Sequence, residues 1–161
     1  MVDKPYPLIT IGMTSFNAED TIAQAIKSAL SQDYPNNEIL IVDDCSSDNS
    51  HQVIQEAIKG HDNARFIPHD TNTGFAGALN TIIKNAKGEF LAIFDDDDIS
   101  LPERLSKQYE RIIRYEEKFS TDLVLCHVAR IQTFENATTA TTLSALAPIA
   151  HAWDAPKYLE T

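Results

Sequence analysis

Residues 94–98 read Phe-Asp-Asp-Asp-Asp, four consecutive carboxylates that follow the apolar run Phe90-Leu91-Ala92-Ile93-Phe94. Neighbouring charges of one sign repel, so such a run either faces water or surrounds a cation. Its setting favours the cation, because it lies between an apolar, strand-like segment and a helix with a strong start signal. Hard cations such as Mg2+ and Mn2+ take oxygen ligands, and Mg2+ is commonly held by one or two carboxylates plus substrate phosphates. On an extended segment side chains alternate. Asp95 and Asp97 would then share one side, and Asp96 and Asp98 the other.

A second acidic pair, Asp43-Asp44, closes the run EILIVDD. A carboxylate there either caps the next helix or accepts a hydrogen bond from a base's ring N–H. An ionised carboxylate only accepts, so it suits uracil, thymine or guanine rather than adenine or cytosine. Thr14 and Ser15 close an earlier apolar run and equally fit a plain turn. NTGFAG at 72–77 matches neither a Walker A loop nor GxGxxG and reads as a turn with close helix packing. The histidines at 51, 61, 69, 127 and 151 show no metal-ligand spacing, and the chain carries no GxSxG elbow.

The elements that must position these groups alternate. PLITIGM is a short strand. NAEDTIAQAIKSALSQ follows with Ile22, Ala25, Ile26, Ala29 and Leu30 at helical spacing, Asn17 as its cap and acids in its first turn. EILIVDD has the continuous apolar character of a strand covered on both faces. SSDNSHQVIQEAIKG predicts a helix that starts near Ser47 or Asp48 and stops at Gly60. RFIP is a strand, TGFAGALNTIIKNAKG a helix ending at Gly88, and EFLAIF a strand. SLPERLSKQYERIIRYEEK is a helix opened by a Ser100-x-x-Glu103 capping box with Pro102 in its first turn, and DLVLCHV is a further strand.

Strands separated by helices call for an α/β, three-layer sandwich: a mostly parallel central sheet with helices on both faces, Rossmann-like in plan. In such sheets ligands bind beyond the carboxyl ends of the strands. Thr14-Ser15, Asp43-Asp44 and Asp95–Asp98 all fall at those ends, so the topology gathers them along one edge. The pattern fades after about Gln132.

Composition sets the outer limits. A chain of 161 residues, 43% hydrophobic and 23% charged, is one ordinary domain with a real core. The net charge of −11 opposes binding to a nucleic-acid polymer or an anionic membrane. It does not oppose a phosphate bridged by a cation. The chain has no run that would span a bilayer and no signal-peptide pattern at its start. Cys45 and Cys126 are far apart, which suits reduced thiols and a cytoplasmic location, with a membrane-peripheral placement of the full-length protein the alternative.

MTSFNAEDTIAQAIKSALSQDYPNNEILIVDDCSSDNS, followed by NTGFAGALNTIIKNAKGEFLAIFDDDDISLPERL, resembles family 2 glycosyltransferases with the nucleotide-diphospho-sugar transferase (GT-A) fold. The resemblance is collinear over roughly residues 7–130. Thr-Ser-Phe-Asn at 14–17 stands where the family often has Pro-Thr-Tyr-Asn, Val-Asp-Asp at 42–44 matches its base-binding strand end, and Asp95–Asp98 covers its DxD motif. It implies that Thr14 and Asp44 hold the base of a UDP-linked sugar donor, with Asp43, Ser15, Asn17 and Glu19 in the same nucleotide site. It implies that Asp96 lies near the ribose or the metal, and that Asp97, helped by Asp95, binds Mn2+ or Mg2+. The reaction implied is inverting transfer to an acceptor hydroxyl of a saccharide or glycoconjugate, in polysaccharide biosynthesis.

Two departures stand out. Relatives often carry Ala-Arg-Asn where this chain has Ala78-Leu79-Asn80, and the acid expected as general base lies well downstream of DxD in the family. Asp154 and Glu160 lack its context. Residues 1–132 are therefore expected to form the nucleotide-sugar-binding part and 133–161 the start of a truncated, poorly ordered acceptor-side region. The alternatives are a non-catalytic nucleotide-binding module and a receiver-like phosphoacceptor domain. A positioned base contributes about 10²–10⁴-fold in rate, so residues 1–161 alone should bind nucleotide with metal yet transfer sugar negligibly. A radiolabelled-donor transfer assay checks this, and robust transfer by this chain would refute it.

Overall fold

A computed structural model describes residues 6–127. Its elements run β1 (Ile9–Ser15), α1 (Ile22–Leu30), β2 (Asn37–Asp43), α2 (Ser50–Ala57), β3 (Ala64–Pro68), α3 (Gly74–Asn85), β4 (Phe90–Phe94) and α4 (Arg104–Phe119). The chain divides into two compact units, Met1–Leu105 and Ser106–Thr161. The expected division at residue 132 lies outside the described residues.

The first unit is built on a four-stranded parallel sheet of order β3-β2-β1-β4. The chain steps outward from β1 to β3, then crosses back to place β4 on the far side of β1. Right-handed crossovers put α1 and α2 on one face and the returning α3 on the other. The side chains agree with this. By alternation Leu40 and Val42 face α3 and cluster with its Ala78 and Ile82, with Ile67 beside them. Ile11, Met13, Ile39 and Ile41 take the other parity and are fully buried, as are Ile22, Ile26 and Ile54 of α1 and α2. Each such side chain contributes about 1.5–3 kcal/mol when withdrawn from water.

Gly12 makes room for α3: a Cβ there would lie 2.5 Å from Ile82 Cγ2. At the amino edge of the sheet, Glu38 collects donors from three directions. Its Oε1 accepts from Thr10 Oγ1 (2.8 Å) and the Lys87 backbone N–H (2.7 Å), and its Oε2 accepts from Arg65 Nη2 (3.1 Å). The same Arg65 nitrogen donates to Asn85 O at 2.8 Å, and the Gly88 N–H donates to Thr10 Oγ1 at 2.9 Å. Burial alone would raise the Glu38 pKa, but these hydrogen bonds and the Arg65 charge bring it below the usual carboxylate value.

Several element boundaries differ from the sequence expectation. Asn17 does not cap α1, which starts at Ile22; Asn17 sits at φ +51°, in the left-handed region, where asparagine is tolerated. α2 begins at Ser50, because the Asp48 carboxylate draws the preceding loop to itself through the Ser50 N–H (2.9 Å). α3 ends at Asn85, three residues before Gly88. α4 starts at Arg104, so Ser100 is not its N-cap; the Ser100 hydroxyl accepts from Arg104 Nη1 at 2.8 Å instead. Residues 122–127 form no strand. An apolar run becomes a strand only where a neighbouring strand pairs with it, so composition alone does not make one.

Gly88 has a steric role rather than a terminating one. A Cβ there would stand 2.5 Å from Thr10 N and 2.8 Å from Leu8 O, both backbone atoms that cannot yield as a side chain can. Gly88→Ala is therefore expected to destabilise the protein by about 1–3 kcal/mol, measured as a lower urea midpoint at unchanged m.

Candidate nucleotide-binding site

The carboxyl edge of the sheet brings together the ends of all four strands. Ser15 pairs with Asp43, Asp43 with Pro68, and Met13 with Phe94 across the sheet. The strand order reverses between β1 and β4, which opens the crevice where ligands bind in open α/β sheets. Across that crevice the Phe16 backbone N–H donates to Asp96 Oδ2 at 3.3 Å. Phe16 itself is exposed, and its ring offers an apolar surface beside this contact.

Asp43 and Asp44 are both buried, and each fastens a different loop. Asp43 Oδ2 accepts from the Ser46 N–H (2.8 Å) and lies 2.7 Å from His51 Nε2, while Oδ1 accepts from Ser46 Oγ (2.6 Å). Asp44 Oδ1 accepts from Thr73 Oγ1 (2.7 Å) and the Thr73 N–H (2.9 Å) and lies 2.8 Å from His69 Nδ1. Oδ2 shares the Thr73 N–H at 3.0 Å. Burial by itself would raise the Asp44 pKa; the bonds from His69 and Thr73 outweigh it and bring the group from 3.8 down to about 2.

Asn17 and Glu19, expected to touch nucleotide, stitch the β1 loop to the β2 loop. Asn17 N donates to Ser46 Oγ (2.8 Å) and Ser47 N to Asn17 Oδ1 (2.8 Å). Glu19 Oε2 accepts from both the backbone N and Nδ2 of Asn49, each at 2.8 Å. Glu19 N donates back to Asp48 Oδ2 at 3.1 Å. Thr14 and Ser15 sit at the end of β1 as expected, and the buried Ser15 hydroxyl has no hydrogen-bond partner among the described residues. Such orphaned groups, and residues in uncommon backbone regions such as Cys45 at φ +64°, concentrate at functional sites.

Asp96 and Asp97 form a turn rather than an extended segment, so alternation does not set which of the four acids share a side. Burial pushes the Asp96 pKa up, reinforced by the charges of Asp97 and Asp95 and opposed by the Phe16 N–H. Asp97 is exposed. Among the described residues no three His, Cys, Asp or Glu side chains converge into a cluster that would enclose a metal ion unaided. The donors at this loop are carboxylate oxygens, of which those of Asp97 are exposed. That suits a hard cation whose remaining ligands come from a phosphate and water, and it does not suit a closed zinc-type centre.

A family model for glycosyl transferase family 2 matches residues 10–148. The chain belongs to that family. Among curated relatives it is similar to WfgD of Escherichia coli, a UDP-Glc:alpha-D-GlcNAc-diphosphoundecaprenol beta-1,3-glucosyltransferase. The two are 38% identical over 107 residues, covering 66% of this chain and 42% of WfgD. It is 38% identical over 110 residues to the succinoglycan biosynthesis protein ExoO of Rhizobium meliloti, covering 68% of this chain and 31% of ExoO. Among solved structures, residues 1–349 of S. aureus TarS in complex with UDP align with a TM-score of 0.60 at 28% identity, covering 69% of this chain and 33% of that one. This family 2 chain thus has the GT-A fold, and it spans less than half the length of these relatives.

Sequence reasoning missed His69, Thr73 and Phe16 as parts of the edge. His69 follows the end of β3 just as Asp44 follows β2, so the strand-end rule applied to RFIP would have found it.

Because Asp44 is held ionised more firmly in the folded chain than in the unfolded one, its stabilisation is complete above pH 3.8 and fades as the pH falls through about 2. The stability gap between the parent and Asp44→Asn should therefore be constant above about pH 5 and shrink towards pH 2. Urea titrations at several pH values check it; an equal gap at both ends of the range would contradict it.

Proposed function

We propose that the protein is a glycosyltransferase that uses a UDP-sugar and a divalent cation, and that residues 6–127 carry its donor-binding half. The observation that carries the proposal is the joining of Asp96 to the Phe16 backbone across the β1/β4 crevice, with Asp97 exposed in the same turn and Asp44 ionised at the end of β2. These groups offer carboxylate oxygens at one end of a crevice and an acceptor-only group at the adjoining strand end. That is what a nucleoside diphosphate with an imide-bearing base and a cation requires. The UDP complex of TarS and the UDP-Glc named for WfgD support the choice of donor.

In this reading Asp44 accepts the base N–H, Asp96 lies near the ribose, and Asp97 with Asp95 holds the cation. Thr14 and the unpartnered Ser15 hydroxyl complete the base end. Asn17, Glu19 and Asp43 act one step back, through the loops they fasten. The cation, when bound, supplies electrostatic neutralisation of the departing diphosphate. In the inverting reaction the acceptor oxygen forms its bond to the anomeric carbon as the bond to the diphosphate oxygen breaks. The electron pair leaves with UDP, and the acceptor proton passes to a base outside the described residues. The acceptor is a saccharide or glycoconjugate hydroxyl, as the biosynthetic roles named for ExoO and WfgD suggest. No helix among the described residues is long and apolar enough to cross a membrane, and the free thiols Cys45 and Cys126 suit work in the cytoplasm.

Calorimetry of UDP with and without Mn2+ tests the proposal. The cation should tighten UDP by roughly tenfold, about 1.4 kcal/mol, and Asp97→Asn should abolish most of that gain without altering thermal stability. Equal UDP affinity with and without Mn2+ in the parent would overturn the metal assignment.

A further inference from the structure

His69 is the most tightly engaged titratable side chain at the carboxyl edge that the proposed chemistry does not use. Its backbone N–H donates to Asp43 O at 2.8 Å, which continues the β2–β3 pairing one residue beyond the sheet. With the main chain held there, both ring nitrogens find partners: Nδ1 lies 2.8 Å from Asp44 Oδ1 and Nε2 lies 2.8 Å from Thr81 Oγ1 on α3. The imidazole spans from α3 to the end of β2 and is largely buried.

The two oxygens of Asp44 are unequally used. Oδ1 meets His69 Nδ1, Thr73 Oγ1 and Thr73 N at 2.7–2.9 Å, whereas Oδ2 takes the longer share of the Thr73 N–H at 3.0 Å, with the Gly74 N–H also directed at the carboxylate. A carboxylate oxygen has two lone-pair sites. Oδ1 is therefore filled and Oδ2 keeps acceptor capacity. Thr73 alone would not fix this division, because its N–H sits almost equally between the two oxygens, at 2.9 and 3.0 Å. The side-chain contacts from His69 and Thr73 Oγ1, both on Oδ1, break the symmetry.

We propose that His69 is a positioning residue for base selection: by engaging Oδ1 it fixes the rotation of the Asp44 carboxylate and reserves Oδ2 for the ring N–H of a uracil-type base. This role rests on the reading that Asp44 receives the donor base. Thr81 supports it from behind, holding Nε2 and bonding to Gly77 O at 3.2 Å. A ligand with no ring N–H to give, such as an adenine nucleotide, gains nothing from an aligned Oδ2. Loss of His69 should accordingly affect UDP and not ADP.

The experiment is calorimetry of UDP and ADP with Mn2+ on the 161-residue chain, comparing the parent with His69→Ala, His69→Asn, Thr81→Val and Asp44→Ala. His69→Ala should weaken UDP by about tenfold, the size of one charge-assisted hydrogen bond, and leave ADP unchanged, so the selectivity ratio collapses. His69→Asn, whose amide N–H reaches the place of Nδ1, should restore most of the ratio. Thr81→Val should give a smaller loss of the same sign. A merely structural role would lower the binding-competent fraction for both nucleotides together and leave the ratio intact. If His69→Ala folds poorly, the contrast between His69→Asn and Thr81→Val still decides the matter. Should those histidine and threonine variants keep the parent's ratio while Asp44→Ala loses it, the role of His69 is overturned and the base reading stands. A parent that binds ADP as well as UDP overturns both.

Discussion

Two adjacent buried carboxylates at the end of β2 hold the working edge of this protein together. Neighbouring residues on a strand point to opposite faces. Asp43 and Asp44 use that divergence to fasten two separate loops, 46–51 on one side and 69–73 on the other. The bonds are charge-assisted and several of them use backbone N–H groups, so they fix main-chain position as well as side-chain rotamer. The β1 loop joins the same assembly through Asn17, Glu19 and the hydroxyl of Ser50, which accepts the Ala18 N–H at 2.9 Å. Without the pair, three loops lose their shared anchor, although the sheet beneath them keeps its apolar core.

The distribution of charge follows from this. A chain with a net charge of −11 carries its acids in two roles at one edge. Those at β2 are buried and take most of their hydrogen bonds from the protein itself. Those after β4 are more open: Asp97 is exposed and Asp96 is held back from ionising by burial and by its neighbours. The asymmetry separates acids that anchor loops, with Asp44 also offering an oxygen to the proposed base, from acids set in a more open turn.

Much of this was legible in the sequence because it depends on period and order. The short apolar runs PLITIGM, EILIVDD and EFLAIF, separated by helices, give parallel strands, and the rule that loops at carboxyl ends carry ligands brings Ser15, Asp43, Asp44 and Asp95–Asp98 together. The partnering of those groups was not legible. Asn17 and Glu19 look like helix-start residues in isolation, and only the tertiary approach of the 46–49 loop, about 30 residues on, turns them into cross-loop ties. The helix starts were misplaced because the expected caps found other partners, across the fold for Asn17 and nearby for Asp48 and Ser100. DLVLCHV shows the opposite failure: its composition is that of a strand, yet residues 122–127 form none.

The position of β4 bears on the order in which the chain can fold. The ties around Asp43, Asp44 and the β1 loop join residues that lie within about 30 of one another, whereas Phe16 meets Asp96 across 80 residues of chain. Loop closure over long separations is slow, and non-local pairing sets the pace of folding in such topologies. During synthesis the loops around Asp43 and Asp44 can therefore lock before the acids after β4 have emerged. The crevice closes only when β4 docks along β1, from Ile9 opposite Phe90 to Met13 opposite Phe94. The two halves of the site close through contacts of very different sequence separation, and the acids after β4 depend on the longer one.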